Sequence, residues 1–213
     1  SLPTPSNQEV RRTDFLTEVY ETYGMTETIT HIALKNLSVE LSGNAGQGTG
    51  AVEGRDEASH FTALPGVSLS TDHRNCLVID APEIAGSPVV TNDVVDLISK
   101  TQFQWLGRYD NVINSGGVKL FPEQIEAKLR SVIASRFFVA GLPDKKLGQK
   151  LILIVEGTPA AERNEADGML QKIRSLHTLE KFEVPKELYR IAKFLETDSG
   201  KIRRQKTMAF LFR

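Results

Sequence analysis

GRYDNVINSGGVKLFPEQIE, the stretch from Gly107 to Glu126, is where the pattern of the sequence changes and the fold class is decided. Before it, short apolar runs follow one another at intervals of about 8 to 12 residues with turn signals between them, as in antiparallel β-structure. Within it, Pro122 and Glu123 open a predicted helix, because proline suits the first helical position. After it, segments with helical spacing alternate with short apolar runs. The sequence therefore predicts an α+β protein with two regions, residues 1–106 and 107–213.

Seven short strands are predicted in the first region, and those after Phe61 suit a small antiparallel barrel or sheet. They are Phe15 to Tyr20, His31 to Leu37, Val67 to Ser70, Cys76 to Asp80, Val89 to Thr91, Val94 to Ile98 and Phe103 to Leu106. A Gly-rich polar segment at residues 42–59 is predicted to be a mobile surface loop. The second region is predicted to contain helices and strands in alternation. These are helices from Pro122 and within Ala160 to Leu176, and strands at Phe137 to Leu142, Leu151 to Glu156 and Leu188 to Phe194.

The net charge of −1 hides an uneven distribution of charge along the chain. Residues 1–106 contain 6 Lys and Arg against 14 Asp and Glu, whereas residues 107–213 contain 20 against 13. The two regions therefore carry −8 and +7. An asymmetry of this size indicates two units with different partners, or two units that face each other across an anionic ligand.

A single cysteine, Cys76, excludes an internal disulfide and is expected to be a core residue of a strand. The longest apolar runs, such as Leu151 to Val155, are far shorter than the ~18 residues that a membrane-spanning helix needs. The start of the chain lacks the basic segment and the following apolar segment of a secretory signal. We therefore expect a cytoplasmic protein without a membrane span.

The segment from Tyr23 to Thr28 offers an aromatic ring, hydroxyls and a carboxylate beside a glycine. The Glu27 carboxylate is a hard ligand suited to Mg²⁺, the Thr26 hydroxyl can donate to a phosphate oxygen, and the Tyr23 ring can stack on a base. Taken alone this pattern is weak, because Thr-Glu pairs on loops are mostly solvated. The motifs that follow this segment in the chain support its interpretation as a ligand-binding site.

Several uncommon motifs occur in one order along nearly the whole chain. They are Tyr23-Gly24-Met25-Thr26-Glu27, then Gly107-Arg108-Tyr109-Asp110, Ser115-Gly116-Gly117 and Pro122-Glu123-Gln124-Ile125-Glu126, then Gly141-Leu142-Pro143-Asp144 with Gly148, and finally Glu183-Val184-Pro185 and Ser199-Gly200-Lys201-Ile202-Arg203. Singly, Gly116-Gly117 could be an ordinary turn and Lys201 one charge in a basic tail. Taken in register, the motifs resemble those of the AMP-forming acyl-CoA synthetases, the adenylate-forming superfamily.

The resemblance implies a nucleotide site in the first region. The ring of Tyr23 would pack on adenine beside Gly24, the Thr26 hydroxyl would contact the α-phosphate, and the Glu27 carboxylate would help to hold Mg²⁺. Asp93 would bind the ribose hydroxyls, although Asn92 stands before it where the family usually has Gly.

For the second region, the resemblance implies a small, mobile α+β domain. Arg108 would contact the ribose, and Asp110 would be the hinge about which this domain swings. Lys201 would be the catalytic lysine of the first half-reaction, in which ATP and a carboxylic acid form an acyl-adenylate. Ser115, Gly116 and Gly117 would bind coenzyme A (CoA) in the second half-reaction, because glycines allow a narrow ligand to approach closely.

The family's phosphate loop and most of its acyl pocket would precede residue 1. The chain is therefore expected to be the C-terminal part of a longer ligase, comprising the end of the large domain with a small β-barrel-like subdomain, and then the mobile domain. We expect the isolated chain to bind ATP weakly and to have little or no ligase activity. Within the family, the run Tyr23 to Ala33 and the compact segment from Asp93 to Gly107 are similar to o-succinylbenzoate-CoA ligases of menaquinone synthesis, which implies an aromatic dicarboxylic acid as substrate.

Other functions stay open from the sequence. The substrate could be another small or aromatic acid, the acyl acceptor could be a carrier protein, or the chain could be a non-catalytic remnant used for interaction. A homo-oligomer is possible. Nucleic acid is not an expected partner, because the basic C-terminal segment has no interleaved aromatic residues and no recognised nucleic-acid module is present.

Overall fold

A computed structural model of the chain describes residues 18–38, 60–158 and 163–213. These residues form two compact units. The first unit contains the described residues up to Thr91 together with Asp96–Trp105, and the second contains Asn92–Val95 together with Leu106–Arg213. None of the helices in the described part of the chain has the length and apolar composition needed to cross a lipid bilayer.

The first seven strands form one sheet, and most of them pair antiparallel with their neighbours. In chain order they are β1 Tyr20–Gly24, β2 His31–Asn36, β3 Phe61–Ala63, β4 Ser68–Thr71, β5 Cys76–Asp80, β6 Val89–Ser99 and β7 Gln102–Arg108. Their spatial order is β1-β2-β3-β7-β6-β5-β4. Among the described residues, β1 and β4 thus lie at the two ends of the sheet, and the predicted barrel-like closure is not confirmed.

The predicted strands of the first region agree with the structure where apolar residues are dense. Cys76–Asp80 is a strand as predicted, and the buried Cys76 is a core residue. Two separately predicted strands are parts of the single strand Val89–Ser99, so the prediction of a break between them was wrong. The first predicted strand, Phe15 to Tyr20, is displaced, because β1 begins at Tyr20; its residues 15–17 lie outside the described part of the chain, as does the loop predicted at residues 42–59.

The second unit contains a five-stranded sheet and three helices. Its elements are β8 Ile113–Ser115, β9 Val118–Leu120, α1 Pro122–Leu129, β10 Phe137–Asp144, β11 Gly148–Glu156, α2 Arg163–Arg174, β12 Glu187–Ile191 and α3 Arg204–Leu211. Strand β11 is central: it pairs antiparallel with β10 and, at Gly148, with β8, and it pairs parallel with β12. The predicted α+β class is confirmed.

Both faces of β11 are buried, and its alternating side chains divide the core into two clusters. Leu151, Leu153 and Val155 pack with Ile125 and Leu129 of α1 and with Ile173 of α2. Ile152 and Ile154 pack with Phe138 and Phe194, and Met208 and Leu211 of α3 cover this second cluster. Burial on both faces explains why β11 reads as a continuous apolar run instead of an alternating one.

Three elements of the second unit were not expected from the sequence. Strands β8 and β9 are only three residues long, too short to give a periodic signal. Helix α3 begins with a run of basic and polar residues and was interpreted as part of a basic tail, yet it is held by the buried Thr207 and by Met208 and Leu211. The other predicted elements were correct in type but their ends moved by a few residues; the predicted helix start at Ala160 lies outside the described residues.

The turn between β10 and β11 provides a pH-dependent test of the second unit. The Oδ1 atom of Asp144 accepts hydrogen bonds from the backbone N–H groups of Leu147 and Lys146, both at 2.9 Å, and these bonds lower the pKa of Asp144 below its ordinary value of 3.8. A carboxyl whose pKa is lowered in the folded state adds stability above its ordinary pKa and loses this stability as pH falls through the lower folded-state pKa.

We expect Asp144→Asn to flatten the pH dependence of the free energy of unfolding below about pH 4, because the amide oxygen still accepts both bonds but carries no charge. Urea unfolding of the wild type and the variant, measured at intervals between pH 2 and 6, checks this. Parallel pH curves for the two proteins would contradict it. Asp198→Asn is the matched control, because it also removes a carboxylate of the second unit, at an exposed position.

Candidate functional site

The first group of predicted site residues forms a tight turn between β1 and β2. A short 3₁₀ helix, Thr26–Thr28, follows β1, and the side chains of Thr26 and Glu27 are exposed on it. Thr28 is fully buried, and its Oγ1 accepts a hydrogen bond from Met25 N at 3.2 Å. Its hydroxyl can donate to Met25 O or to Thr30 O, at 3.0 and 2.8 Å. Thr28 therefore fixes the turn on which Thr26 and Glu27 are displayed, a role that the sequence did not reveal.

Tyr23 and Gly24 sit where the pairing of β1 with β2 becomes irregular. The ring of Tyr23 lies 5.1 Å from that of Phe103 in an edge-on arrangement and 5.7 Å from that of Phe61. A Cβ atom on Gly24 would lie 2.6 Å from both the Cα of His31 and the carbonyl oxygen of Thr30, so no larger residue fits. Aromatic packing thus fixes Tyr23, and the close approach of two backbones requires Gly24.

Ile29 has a strained backbone at the end of this turn. Its φ is +62° and its ψ is −33°, and Thr30 N bonds to Thr28 O at 2.6 Å across it. This is a γ-turn of the rare kind with a positive central φ, which is unfavourable for a β-branched residue. The side chain of Ile29 is 83% exposed, and with Met25 it lines an open depression of about 640 Å³. Strain of this kind clusters at functional sites.

We expect Thr28→Val to destabilise the first unit by about 1 to 3 kcal/mol, because the isosteric side chain leaves the Met25 N–H without its acceptor and the carbonyls of Met25 and Thr30 without this donor. Thermal unfolding followed by circular dichroism measures the change. Thr28→Ser retains the hydroxyl and should lose much less. Equal losses in the two variants would show that the hydroxyl does not organise the turn.

The second group of predicted site residues surrounds the first turn after β7. The Arg108 Nε atom lies 3.6 Å from Oδ1 of Asp93, which is almost buried. Asp110 lies in a 3₁₀ helix, Tyr109–Asn111, and its Oδ2 accepts a hydrogen bond from the side-chain amide of Asn92 at 2.8 Å. Asn92 is therefore bonded to the predicted hinge residue.

Ser115, Gly116 and Gly117 form the turn of the β8–β9 hairpin. Ser115 pairs with Val118, and the two glycines between them have φ values of +61° and +84°. Two-residue hairpin loops favour this conformation, and glycine adopts it without steric cost. Gly116 N also bonds to Leu147 O at 2.9 Å. The hairpin alone accounts for the glycine pair, so the predicted role in binding CoA stays a prediction.

Lys201 lies at the end of a second, smaller hairpin, residues 196–202, which we call the lysine hairpin. Glu196 bridges Ile202, and Thr197 N bonds to Lys201 O at 2.8 Å. Gly200 has a φ of +78°, as expected for a three-residue loop that ends in a left-handed glycine. Lys201 N donates to Thr197 Oγ1 at 3.1 Å. The hairpin presents the Lys201 side chain as an exposed cation, with no ion pair recorded for it among the described residues.

A basic cavity of about 410 Å³ lies in the second unit, between the turn that follows β7 and the start of α3. It is lined by Arg108, Asp110, Asn111 and residues 202–206. Arg203 and Lys206 are exposed on it, and Arg204 is partly buried. The predicted hinge residue and the residues that follow Lys201 thus share one electropositive hollow, which suits an anionic ligand.

The structure brings the predicted site residues together in two groups. One group is in the first unit and consists of Tyr23, Gly24, Thr26 and Glu27. The other is in the second unit, where the elements carrying Arg108, Asp110 and Lys201 border the basic cavity, Asp93 pairs with Arg108, and Ser115, Gly116 and Gly117 form a separate hairpin.

The acidic residues of the described ranges do not form a cage for a metal ion. No group of three or more His, Cys, Asp or Glu residues that could hold a metal is present in 18–38, 60–158 and 163–213. Mg²⁺ commonly binds through one or two carboxylates together with substrate phosphates. The single exposed carboxylate of Glu27 therefore fits an Mg²⁺ ion that arrives with a nucleotide.

Comparison with known proteins identifies relatives over parts of the chain. The chain is 28% identical over 126 residues to "Putative long chain fatty acid-CoA ligase VraA" of Staphylococcus aureus (strain COL), a match that covers 58% of this chain and 26% of the relative. It is 31% identical over 97 residues to "Medium/long-chain-fatty-acid--CoA/3-oxocholest-4-en-26-oate--CoA ligase" of Mycobacterium tuberculosis (strain CDC 1551 / Oshkosh), covering 45% of this chain and 17% of the relative. No family model matches.

Among solved structures, the chain is similar to o-succinylbenzoate CoA synthetase (MenE) from Bacillus subtilis in complex with the acyl-adenylate intermediate OSB-AMP. The TM-score is 0.65 with 20% identity, and the match covers 93% of this chain and 42% of that one. At this identity the likeness concerns the fold. The relatives in sequence and the neighbour in structure are CoA ligases or synthetases, in agreement with the predicted enzyme class. The narrower resemblance to o-succinylbenzoate-CoA ligases is not confirmed, because the relatives in sequence are fatty-acid ligases.

Proposed function

We propose that the protein containing this chain is an acid-CoA ligase, which activates a carboxylic acid with ATP to an acyl-adenylate and transfers the acyl group to CoA. The observation that carries the proposal is the presentation of Lys201 on a hydrogen-bonded hairpin in a chain whose fold is similar to that of a CoA synthetase. The order of the motifs along the chain and the similarity to CoA ligases in sequence support it.

In the first half-reaction, the carboxylate of the acid attacks the α-phosphorus of ATP, and pyrophosphate leaves. Negative charge develops on the phosphoryl oxygens, and an ammonium group placed beside them lowers the barrier. Lys201 supplies this ammonium group in the proposal. A lysine suits the role because it acts as a compact point charge on a flexible stem.

The remaining nucleotide contacts in the proposal are the ones that the resemblance assigns. The ring of Tyr23 would stack on adenine, the Thr26 hydroxyl would donate to the α-phosphate, and Asp93 with Arg108 would bind the ribose. Glu27 would hold Mg²⁺, which neutralises charge on the phosphates when it is bound. The buried hydroxyl of Thr28 supports this arrangement, because it fixes the turn that displays Thr26 and Glu27.

For the second half-reaction, the second unit would swing at Asp110, withdraw Lys201 and present Ser115, Gly116 and Gly117 to the pantetheine thiol. The thiolate attacks the acyl carbonyl, and AMP leaves. The tight β8–β9 turn supports this role, because its glycines have no side chains to obstruct a narrow ligand. The excess of positive charge in residues 107–213 suits both ATP and CoA, which are anionic.

The identity of the acid is the finer part of the proposal. o-Succinylbenzoate, with a role in menaquinone synthesis, is favoured by the resemblance of the run from Tyr23 to Ala33. Long- and medium-chain fatty acids are the alternative favoured by the names of the relatives.

The test is an acid panel on the full-length protein that contains this chain. The protein is incubated with ATP, Mg²⁺, CoA and one acid at a time, from o-succinylbenzoate, octanoate, palmitate and benzoate, and AMP and acyl-CoA are measured by mass spectrometry. The proposal predicts equal amounts of AMP and acyl-CoA with at least one acid. AMP release without any thioester would argue against CoA as acceptor, and turnover of a fatty acid alone would remove the o-succinylbenzoate assignment.

A further inference from the structure

Arg204 and Glu126, which are 78 positions apart in the sequence, form a bidentate ion pair. The Nη1–Oε1 and Nη2–Oε2 distances are 2.6 and 2.8 Å. Glu126 is only 8% exposed, and its Oε1 also accepts a hydrogen bond from Val139 N at 3.0 Å. The Arg204 guanidinium carbon lies 5.6 Å from the centre of the Phe138 ring. The pair therefore joins a buried carboxylate to a partly buried guanidinium, and it is bidentate and supported by two further contacts, unlike an ordinary surface salt bridge.

This pair connects elements on opposite sides of the second sheet. Glu126 belongs to α1, which packs on one face, and Arg204 is the first residue of α3, which packs on the other. Strand β10 lies at the end of the sheet order, so Val139 N on its outer edge is available to Glu126. The ion pair thus passes across the open edge of β10 and ties the two layers together.

The lysine hairpin is anchored on both sides of Lys201. Before the hairpin turn, Glu196 forms an ion pair with Arg136. The Nη1 atom of Arg136 also lies 3.5 Å from Oε2 of Glu156. After it, Arg204 pairs with Glu126 only three residues beyond Lys201. Between these two anchors, the hairpin contributes its own backbone bonds from Thr197 to Lys201. The chain on either side of Lys201 is therefore attached by charged side chains to α1, to Arg136 just before β10 and, through Arg136, to Glu156 of β11.

We infer that the Glu126–Arg204 pair positions Lys201, by holding the lysine hairpin in a fixed place on the second unit. The inference rests on the proposed function, because Lys201 matters only if it acts on the nucleotide. Both residues are positioning residues in this inference, because the Arg204 guanidinium, although its side chain lines the basic cavity, is bonded to Glu126. Arginine is needed for this, because a lysine at position 204 could not bond to both carboxylate oxygens in one plane.

Two variants test the pair with little change in shape. Glu126→Gln keeps an oxygen for Val139 N but removes the charge, and Arg204→Lys keeps the charge but loses the fork. In the purified chain, we expect amide hydrogen exchange in residues 197–203 to accelerate about tenfold in both variants, while Leu151–Val155 of β11 stay protected. Arg130→Gln, which removes an exposed cation next to the end of α1, is the control for charge. Ile173→Val, in the core, is the control for lost stability.

In the full-length ligase, the same two variants should lower kcat for adenylate formation about tenfold or more and leave KM for ATP within about twofold, because binding is preserved and only the placement of Lys201 changes. Thioester formation from preformed acyl-adenylate should stay at the wild-type rate. The inference is overturned if exchange in residues 197–203 does not change, or if it accelerates while adenylate formation is unaffected. If the wild-type enzyme forms no adenylate at all, the proposed function fails instead, and the exchange measurement still decides whether the pair orders the hairpin.

Discussion

Replacing Lys201 with alanine should slow acyl-adenylate formation about 10² to 10³-fold, equivalent to about 3 to 4 kcal/mol, because in the proposed mechanism Lys201 is the cation that stabilises the charge developing on the α-phosphate. Lys201 is exposed on a hairpin that has its own backbone bonds, so its side chain can be removed without disturbing the fold. Acid-dependent exchange of labelled pyrophosphate into ATP, measured on the full-length protein, gives the rate. Transfer of the acyl group from preformed adenylate to CoA should be nearly unchanged.

The matched control for this experiment is Lys193→Ala, which removes another exposed lysine of the second unit. It should leave both half-reactions at the wild-type rate. An equal slowing of both half-reactions by Lys201→Ala would indicate a general loss of structure. Normal pyrophosphate exchange in Lys201→Ala would contradict the catalytic role directly.

Gly24→Ala should destabilise the first unit by about 3 kcal/mol and abolish nucleotide binding, since the added methyl group would overlap the neighbouring backbone. The new Cβ would lie 2.6 Å from both the Cα of His31 and the carbonyl oxygen of Thr30, and backbone atoms cannot move aside as the end of a side chain can. Relief of the clash would separate β1 from β2 and displace Thr26 and Glu27. Chemical unfolding and ATP binding by calorimetry on the full-length protein measure the two effects.

Gly86→Ala is the matched control in the same unit. A Cβ atom there would meet nothing within 4 Å, so the substitution should be neutral or slightly stabilising. Wild-type stability in Gly24→Ala would contradict the packing of the β1–β2 turn. A destabilised variant that still binds ATP with wild-type affinity would show instead that this turn does not contribute to the nucleotide site.

The strands that pack on two sides were the most predictable part of the fold. The run from Leu151 to Val155 and the strand Cys76–Asp80 are dense in apolar residues, and burial follows directly from that composition. Strand β1 was misplaced because Tyr20–Gly24 is an exposed end strand with little apolar signal. Helix α3 was missed because Arg204–Leu211 begins with basic and polar residues, and tertiary packing of a few side chains holds it in place.

The candidate site shows a similar division. The residues proposed to touch ligands, such as Thr26, Glu27 and Lys201, were chosen from motifs, because their chemistry depends on residue type and order, and their roles stay predictions. The residues that hold them in place could not be chosen in this way. The partner of Arg204 lies 78 residues away, and the buried hydroxyl of Thr28 is in no way distinguished from its threonine neighbours until the turn is folded. Long-range pairs of this kind are set by topology and leave no local pattern in the sequence.

The most direct test of the proposed function is acid-dependent pyrophosphate exchange by the full-length wild-type protein. The proposal predicts that labelled pyrophosphate enters ATP only when a suitable carboxylic acid and Mg²⁺ are present, and that CoA then converts the bound adenylate to a thioester with release of AMP. A protein that binds ATP but catalyses no exchange with any acid of the panel would contradict it.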